Sequence, residues 1–275
     1  MKKWMALLVV FYISSSFTPK KELRWMALGD SITYLDGHPA EADNRITKGY
    51  MARVVEKLPH IQYTNHGHNG WTTARMANAI ETLGIQNADL YTVFFGTNDW
   101  WTSFPLGTIS DYENSTGNKT MYGAYRTIIN KIRNLNSDAR IILITPMQRG
   151  DFVYFKNFKN NAYGSYKNKN DHSLSEYADA VKKIAASEKF PVVDLYYKSG
   201  IRLENMVKYK RVKDTATGEY KNYRYPDYIN IPFNPETDEY PYPPDAIDMT
   251  YDGLHPSDKG LAVIAKMLVK AIKKY

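Results

Sequence analysis

Trp25-Met26-Ala27-Leu28-Gly29-Asp30-Ser31 is the stretch on which the fold turns. Four apolar residues run without a polar break into Gly-Asp-Ser, the pattern of a buried strand that stops in a turn. A strand apolar on both faces belongs in a parallel sheet covered by helices on both sides. The chain on either side keeps that rhythm. Residues 49–58 place Met51, Val54, Val55 and Leu58 at helical spacing, and 61–64 read as a second strand. Residues 72–83 read as a helix, 90–95 as a continuous apolar strand stopping at Gly96, and 122–135 as a helix with Tyr125, Ile128, Ile129, Ile132 and Leu135 on one face. A strand at 141–144 closes on Thr145-Pro146. Residues 175–187 form a helix capped from Ser173, 192–193 lead into a fifth strand, and 257–273 end the chain as an amphipathic helix. Five strands separated by helices predict an α/β fold with a parallel sheet. Ligands of such sheets bind beyond the carboxyl ends of the strands, where the strand order switches. The segments that look chemical fall there: Ser31 after the first strand, residues 65–70 after the second, residues 96–99 after the third.

Two stretches break the rhythm. Residues 100–121 form a long loop. Residues 200–250 are polar and irregular, with six prolines from Pro226 to Pro244 and eight tyrosines from Tyr209 to Tyr251, which favours an ordered cover over the site rather than a linker. Thr217-Gly218 reads as a hairpin tip. No internal repeat and no second hydrophobic core is evident.

The 275 residues are enough for a full core without covalent staples. With 43% hydrophobic and 24% charged residues and a mean hydropathy of −0.51, the chain is neither a multi-span membrane protein nor disordered. Cysteine is absent, which removes disulfides, thiolate zinc sites and a thiol nucleophile. The net charge of +7 is spread along the chain in nothing longer than pairs such as Lys182-Lys183, so no nucleic-acid arm stands out. Nothing in the sequence sets an oligomeric state.

Met1-Lys2-Lys3, the apolar run Trp4 to Ile13 and Ser14-Ser15-Ser16 form a secretory signal pattern. The apolar run is half of what a bilayer span needs, so a permanent membrane anchor is not expected. Cleavage after Ser16 would leave a single domain over residues 17–275 carrying the irregular insertion at about 200–250, in a secreted or periplasmic protein.

The chemistry is concentrated in four segments. A serine at the end of a buried strand, opening a helix, exposes its hydroxyl and offers a backbone N–H to developing negative charge. In Asp252-Gly253-Leu254-His255-Pro256, a carboxylate three residues before an imidazole can reach Nδ1 across one turn, leaving Nε2 to take a proton from a serine. Gly96-Thr97-Asn98-Asp99 offers an amide at the sheet edge, and Asn65-His66-Gly67-His68-Asn69-Gly70 ends in a glycine that permits close backbone approach.

These four segments, in this order along nearly the whole chain, resemble the blocks of the SGNH (GDSL-type) hydrolases. The resemblance implies a flavodoxin-like three-layer α/β/α sandwich and metal-free, cofactor-free hydrolysis of esters. By position it implies Ser31 as nucleophile, His255 as general base, Asp252 as its orienter, and Ser31, Gly70 and Asn98 as oxyanion donors. Trp71, where the family pattern has a small or acidic residue, and Trp100 and Trp101 after Asn98-Asp99 depart from it. Bulky rings there would narrow the acyl pocket, stack on a sugar ring, or pack under the long loop. The expected substrate is accordingly an acetyl or short acyl ester on a carbohydrate, small or polymeric, with a lipid ester or a non-catalytic glycan-binding role as alternatives. A metal-dependent phosphoesterase using Asp30, His66, His68, Asn98, Asp99 and His255 is the rival outside that class.

Overall fold

The computed structural model describes residues 21–158 and 161–274, so the leader-like segment lies outside the described residues. In chain order the elements are β1 (Leu23–Gly29), α1 (Ser31–Tyr34), α2 (Tyr50–Lys57), β2 (Ile61–Gly67), α3 (Thr73–Ala79), β3 (Leu90–Phe94), α4 (Thr97–Trp101), α5 (Ile109–Glu113), α6 (Met121–Leu135), β4 (Arg140–Ile144), α7 (Leu174–Glu188), β5 (Val192–Val193), α8 (Leu195–Lys198), β6 (Lys210–Lys213), β7 (Tyr220–Tyr223) and α9 (Asp258–Lys273). Strands β1 to β5 form an all-parallel sheet in the order β2-β1-β3-β4-β5. This is the flavodoxin-like order, with its switch point between β1 and β3.

Period-two alternation sorts each central strand between two cores. Met26 and Leu28, Tyr91 and Val93, and Ile141 and Leu143 face the layer of α3, α6 and α7. Trp25 and Ala27, Leu90 and Phe94, and Ile142 and Ile144 face the layer of α2 and α9. The three-layer sandwich expected from the sequence is thus the observed one. Register then fixes the site: Gly29, the last residue of β1, lies beside Gly67 of β2 and Phe94 of β3. The turns that follow these strands therefore open side by side at one edge of the sheet.

Several expected boundaries shift for local reasons. The helix read over 72–83 stops at Ala79, where Thr82 places both its N–H and its hydroxyl on the Ala79 carbonyl, each at 2.9 Å. The 100–121 loop is not bare: α4 runs into it, and α5 starts from a capping box between Thr108 and Asp111. Ser173 caps α7 by the same device with Glu176. A third irregular stretch, between β4 and α7, does not stand out in the sequence.

The 200–250 insertion contains the hairpin β6–β7 with Thr217-Gly218 at its tip. Its inner residues form a small core of their own, Val153, Val207 and Tyr242 with Phe158, Phe233 and Tyr240 packed against them, which the sequence does not reveal. Buried Lys210 pairs with Asp151 at 3.5 Å, and the Tyr242 hydroxyl donates to the Asp151 carbonyl. The insertion therefore buttresses the loop after β4 instead of covering the site itself.

Candidate active site

Asp30 follows β1 and caps α1, accepting the Ile32 N–H at 3.0 Å. That cap starts the helix at Ser31 and leaves the serine at the mouth of the sheet edge. Its Oγ lies 2.9 Å from His255 Nε2, across more than two hundred residues of chain. His255 Nδ1 lies 2.6 Å from Asp252 Oδ2. The other oxygen of Asp252 accepts the backbone N–H groups of Leu254 and His255 at 2.9 and 2.6 Å, so one carboxylate both folds the loop and orients the ring. Gly253 sits at φ +88° with its Cα against the Asp151 carbonyl, and a Cβ there would meet that oxygen at 1.9 Å. Only glycine lets this loop close onto the β4 loop, where Gly150 N–H donates to the Gly253 carbonyl at 2.7 Å.

Two rings that sequence reading misses hold the imidazole. Tyr251 stacks on it at 5.8 Å and 17°, and Phe152 meets it edge-on at 5.5 Å and 78°. Adjacency of Tyr251 to Asp252 was the available signal; Phe152 has none, since it is brought in by the β4 loop. Ser31, Leu35, Glu41, Asn69, Tyr154, Tyr251 and His255 line a cavity of about 190 Å³.

Of the expected oxyanion donors, Ser31 opens α1, Gly70 lies between β2 and α3, and Asn98 lies on α4. Among the described residues no acceptor meets the N–H of Ser31 or of Gly70. Gly70 sits at φ +71° with open space where a Cβ would project, so the glycine is required by backbone conformation and not by crowding. Asn98 opens with α4, where its amide donates one hydrogen to the Trp71 carbonyl at 3.0 Å and keeps the second. Asp99 is fully buried and accepts the Thr73 N–H at 3.0 Å and the Thr73 hydroxyl, tying the end of β3 to the start of α3. The segment holding Gly70 is thereby fixed relative to Asn98.

The tryptophans separate. Trp71 is half-buried, stacked on His68 at 3.9 Å with Arg75 over its other neighbourhood at 5.0 Å. Trp101 is also half-buried. Trp100 takes the packing alternative: it is fully buried and donates its indole N–H to the His172 carbonyl at 3.1 Å. Consecutive helical residues point about 100° apart, so only one of the pair can face the opening.

The metal constellation expected by the rival reading does not assemble: among the described residues no three acidic or imidazole groups converge on one point. Asp30 and Asp99 are occupied as helix and turn anchors, and the His68 ring lies flat on Trp71. Burial pulls the pKa values of His66 and His68 down, favouring neutral rings.

Burial pushes Asp30 up to about 7 and Asp99 up to about 6. For both, the fold favours the neutral carboxyl. That contribution is fully present below the unfolded value of 3.8 and is lost as pH rises through about 6 and then about 7. Stability from this source should decline across that window. Asp30→Asn keeps an N-cap acceptor without a charge, so it should flatten the decline in urea midpoints measured from pH 5 to 8. An unchanged slope would contradict the assignment.

The description GDSL-like lipase/acylhydrolase family matches residues 27–263, well over half of the chain and inclusive of all the residues above. The chain belongs to the GDSL-like lipase/acylhydrolase family. It is a carboxylic ester hydrolase of that type. A possible lipase from Chitinophaga pinensis is 55% identical, with a TM-score of 0.91 over 92% of this chain and 98% of that one. More distant structures of similar fold include an acetyl xylan esterase (19% identity, TM-score 0.53, covering 90% of this chain and 99% of that one) and the lipase/acylhydrolase from Enterococcus faecalis (19%, 0.51, covering 91% and 95%). At that identity they share the fold alone. No curated protein matches the chain. No helix among the described residues is long and apolar enough to cross a membrane.

Proposed function

We propose that this GDSL hydrolase is an exported serine esterase that cleaves acetyl or short acyl esters, with a carbohydrate as the alcohol. The observation that carries the reading is the unbroken hydrogen-bonded line from Ser31 Oγ through the His255 ring to Asp252, at 2.9 and 2.6 Å. Asp252 accepts from Nδ1 and so holds the tautomer whose Nε2 is an acceptor. As Ser31 Oγ attacks the ester carbonyl carbon, its proton passes to His255 Nε2. The carbonyl oxygen becomes an oxyanion held by the N–H groups of Ser31 and Gly70 and the amide of Asn98. Collapse expels the alcohol, which takes the proton from His255 and leaves an acyl group on Ser31. Water then repeats the sequence and releases the acid.

Substrate size is supported by the cavity beside Ser31: at about 190 Å³ it falls below the range of roughly 300–1,000 Å³ typical of sites for drug-sized ligands. An acetyl group or one sugar unit suits it better than a long acyl chain. Glu41, Asn69 and Tyr154 offer hydroxyl-binding groups on its wall. A lipid ester remains the second reading, because the 55% identical relative is described as a possible lipase. Export rests on the charged, apolar and small-residue pattern from Met1 to Ser16.

Kinetics on p-nitrophenyl esters from acetate to palmitate, beside acetate release from acetylated polysaccharides, test the reading. Acetate and butyrate should be preferred; a maximum at palmitate would replace it with the lipid reading. Asn98→Ala should lower kcat by about 10²–10³ with KM little changed, as loss of one oxyanion donor does elsewhere. A change confined to KM would remove Asn98 from the oxyanion site.

A further inference from the structure

Arg149, just beyond β4, is 1% exposed. Its guanidinium lies over the rings of Trp101, Phe152 and Trp100, at 5.1, 5.6 and 5.7 Å. Rings attract the cation's charge but do not satisfy its in-plane N–H donors. Two of those atoms, Nε and Nη2, are buried without a hydrogen-bond partner. No carboxylate among the described residues lies within 4.0 Å of the group, although Asp252 and Asp151 act on it from further away. A buried guanidinium whose donors go unmet is costly and calls for an acceptor.

The identity of the orphaned atoms narrows the acceptor. Nε and Nη2 share one edge of the guanidinium, and their N–H vectors run parallel. That edge fits the two oxygens of a carboxylate in a bidentate pair. Its position relates it to the ester chemistry. The group stands between α4, which carries Asn98 and Trp101, and the loop that carries His255. The Phe152 ring neighbours both groups, 5.6 Å from the guanidinium and 5.5 Å from the His255 ring. Trp101 and Phe152 are the half-buried walls of the box, while Trp100 is its buried floor. The cavity beside Ser31 itself carries Glu41, which repels an anion.

We infer that Arg149 is a specificity-determining residue that receives a carboxylate carried by the substrate, its unmet Nε–Nη2 edge making the bidentate contact once Trp101 or Phe152 swings aside. This deepens the esterase reading and rests on it. The carboxylate belongs either to the acyl group, as in a dicarboxylic half-ester, or to the sugar, as in an acetylated uronic acid.

Two matched pairs separate these sources: monomethyl succinate against methyl butyrate, and acetylated glucuronic acid against acetylated glucose. In the full-length enzyme the carboxylate member of one pair should show the higher kcat/KM, and the pair that does so names the source. Arg149→Gln should lower that carboxylate-to-neutral ratio about 10- to 100-fold, the range expected for hydrogen bonds to a charged group. Arg149→Lys, which keeps the charge and loses the fork, should fall between. Equal loss on both members, or no carboxylate preference in either pair of the unaltered enzyme, would overturn the inference and leave the esterase reading standing. The unaltered enzyme alone thus decides the matter if Arg149→Gln fails to fold. Should no ester be turned over, the esterase reading fails by itself. Calorimetric binding of succinate and glucuronate to Ser31→Ala, weakened in Ser31→Ala/Arg149→Lys, then supports the anion site, and no binding overturns it.

Discussion

Ser31→Ala should lower kcat on p-nitrophenyl acetate by roughly 10⁵–10⁶-fold, the scale seen when a serine nucleophile is removed from a working triad. Its fold should survive. Ser31 is half-buried, and among the described residues the side-chain hydrogen bond it loses is the one to His255 Nε2. The ring stays in place through Asp252, Tyr251 and Phe152. Thermal unfolding followed by circular dichroism should therefore shift by no more than a few degrees. Binding of substrate should persist, because the cavity walls and the Gly70 and Asn98 donors do not depend on the hydroxyl. Loss of activity together with loss of folding would mean that Ser31 serves the structure.

Asp252→Asn should cost about 10⁴-fold in kcat for a different reason. Asp252 Oδ1 accepts two backbone N–H groups, from Leu254 and His255. Those donors demand an oxygen, so the new amide must keep its oxygen there and turn its NH₂ toward His255 Nδ1. An NH₂ donor at Nδ1 enforces the tautomer with hydrogen on Nε2, which cannot take the serine proton. The loop remains folded while the base is switched off. Asp252→Ala differs: it leaves two buried N–H groups unpaired, at about 1–3 kcal/mol each, so it should lose stability as well as turnover. Comparable kcat for Asp252→Asn and the unaltered enzyme would show that the carboxylate does not set the tautomer.

The sheet was readable because its signals are local. The apolar runs at 25–28, 90–95 and 141–144 need no distant partner to be recognised as buried strands. The positions of Ser31, Asn98, Asp252 and His255 were readable because each sits in a short block at a strand or helix end. What escaped depends on tertiary contact. The burial of Trp100 follows from its rotation on α4 and from the His172 carbonyl arriving above it. Gly70 itself was readable, but the positive φ that requires a glycine there is announced by no pattern. Arg149, Phe152 and Tyr154 lie on a loop with no periodicity, and Lys210 and Tyr242 of the distant insertion shape that loop through its Asp151. The tyrosine-rich composition of residues 200–250 signalled order, but not which loop that order supports.

The central claim is that Ser31 is a nucleophile activated by His255. Reaction of the enzyme with diisopropyl fluorophosphate, followed by mass spectrometry of its peptides, tests this most directly. A single phosphoryl adduct is expected on Ser31, with stoichiometric loss of ester hydrolysis and labelling slowed by orders of magnitude in His255→Ala. An enzyme that hydrolyses esters yet carries the adduct on another residue, or none, would contradict the account.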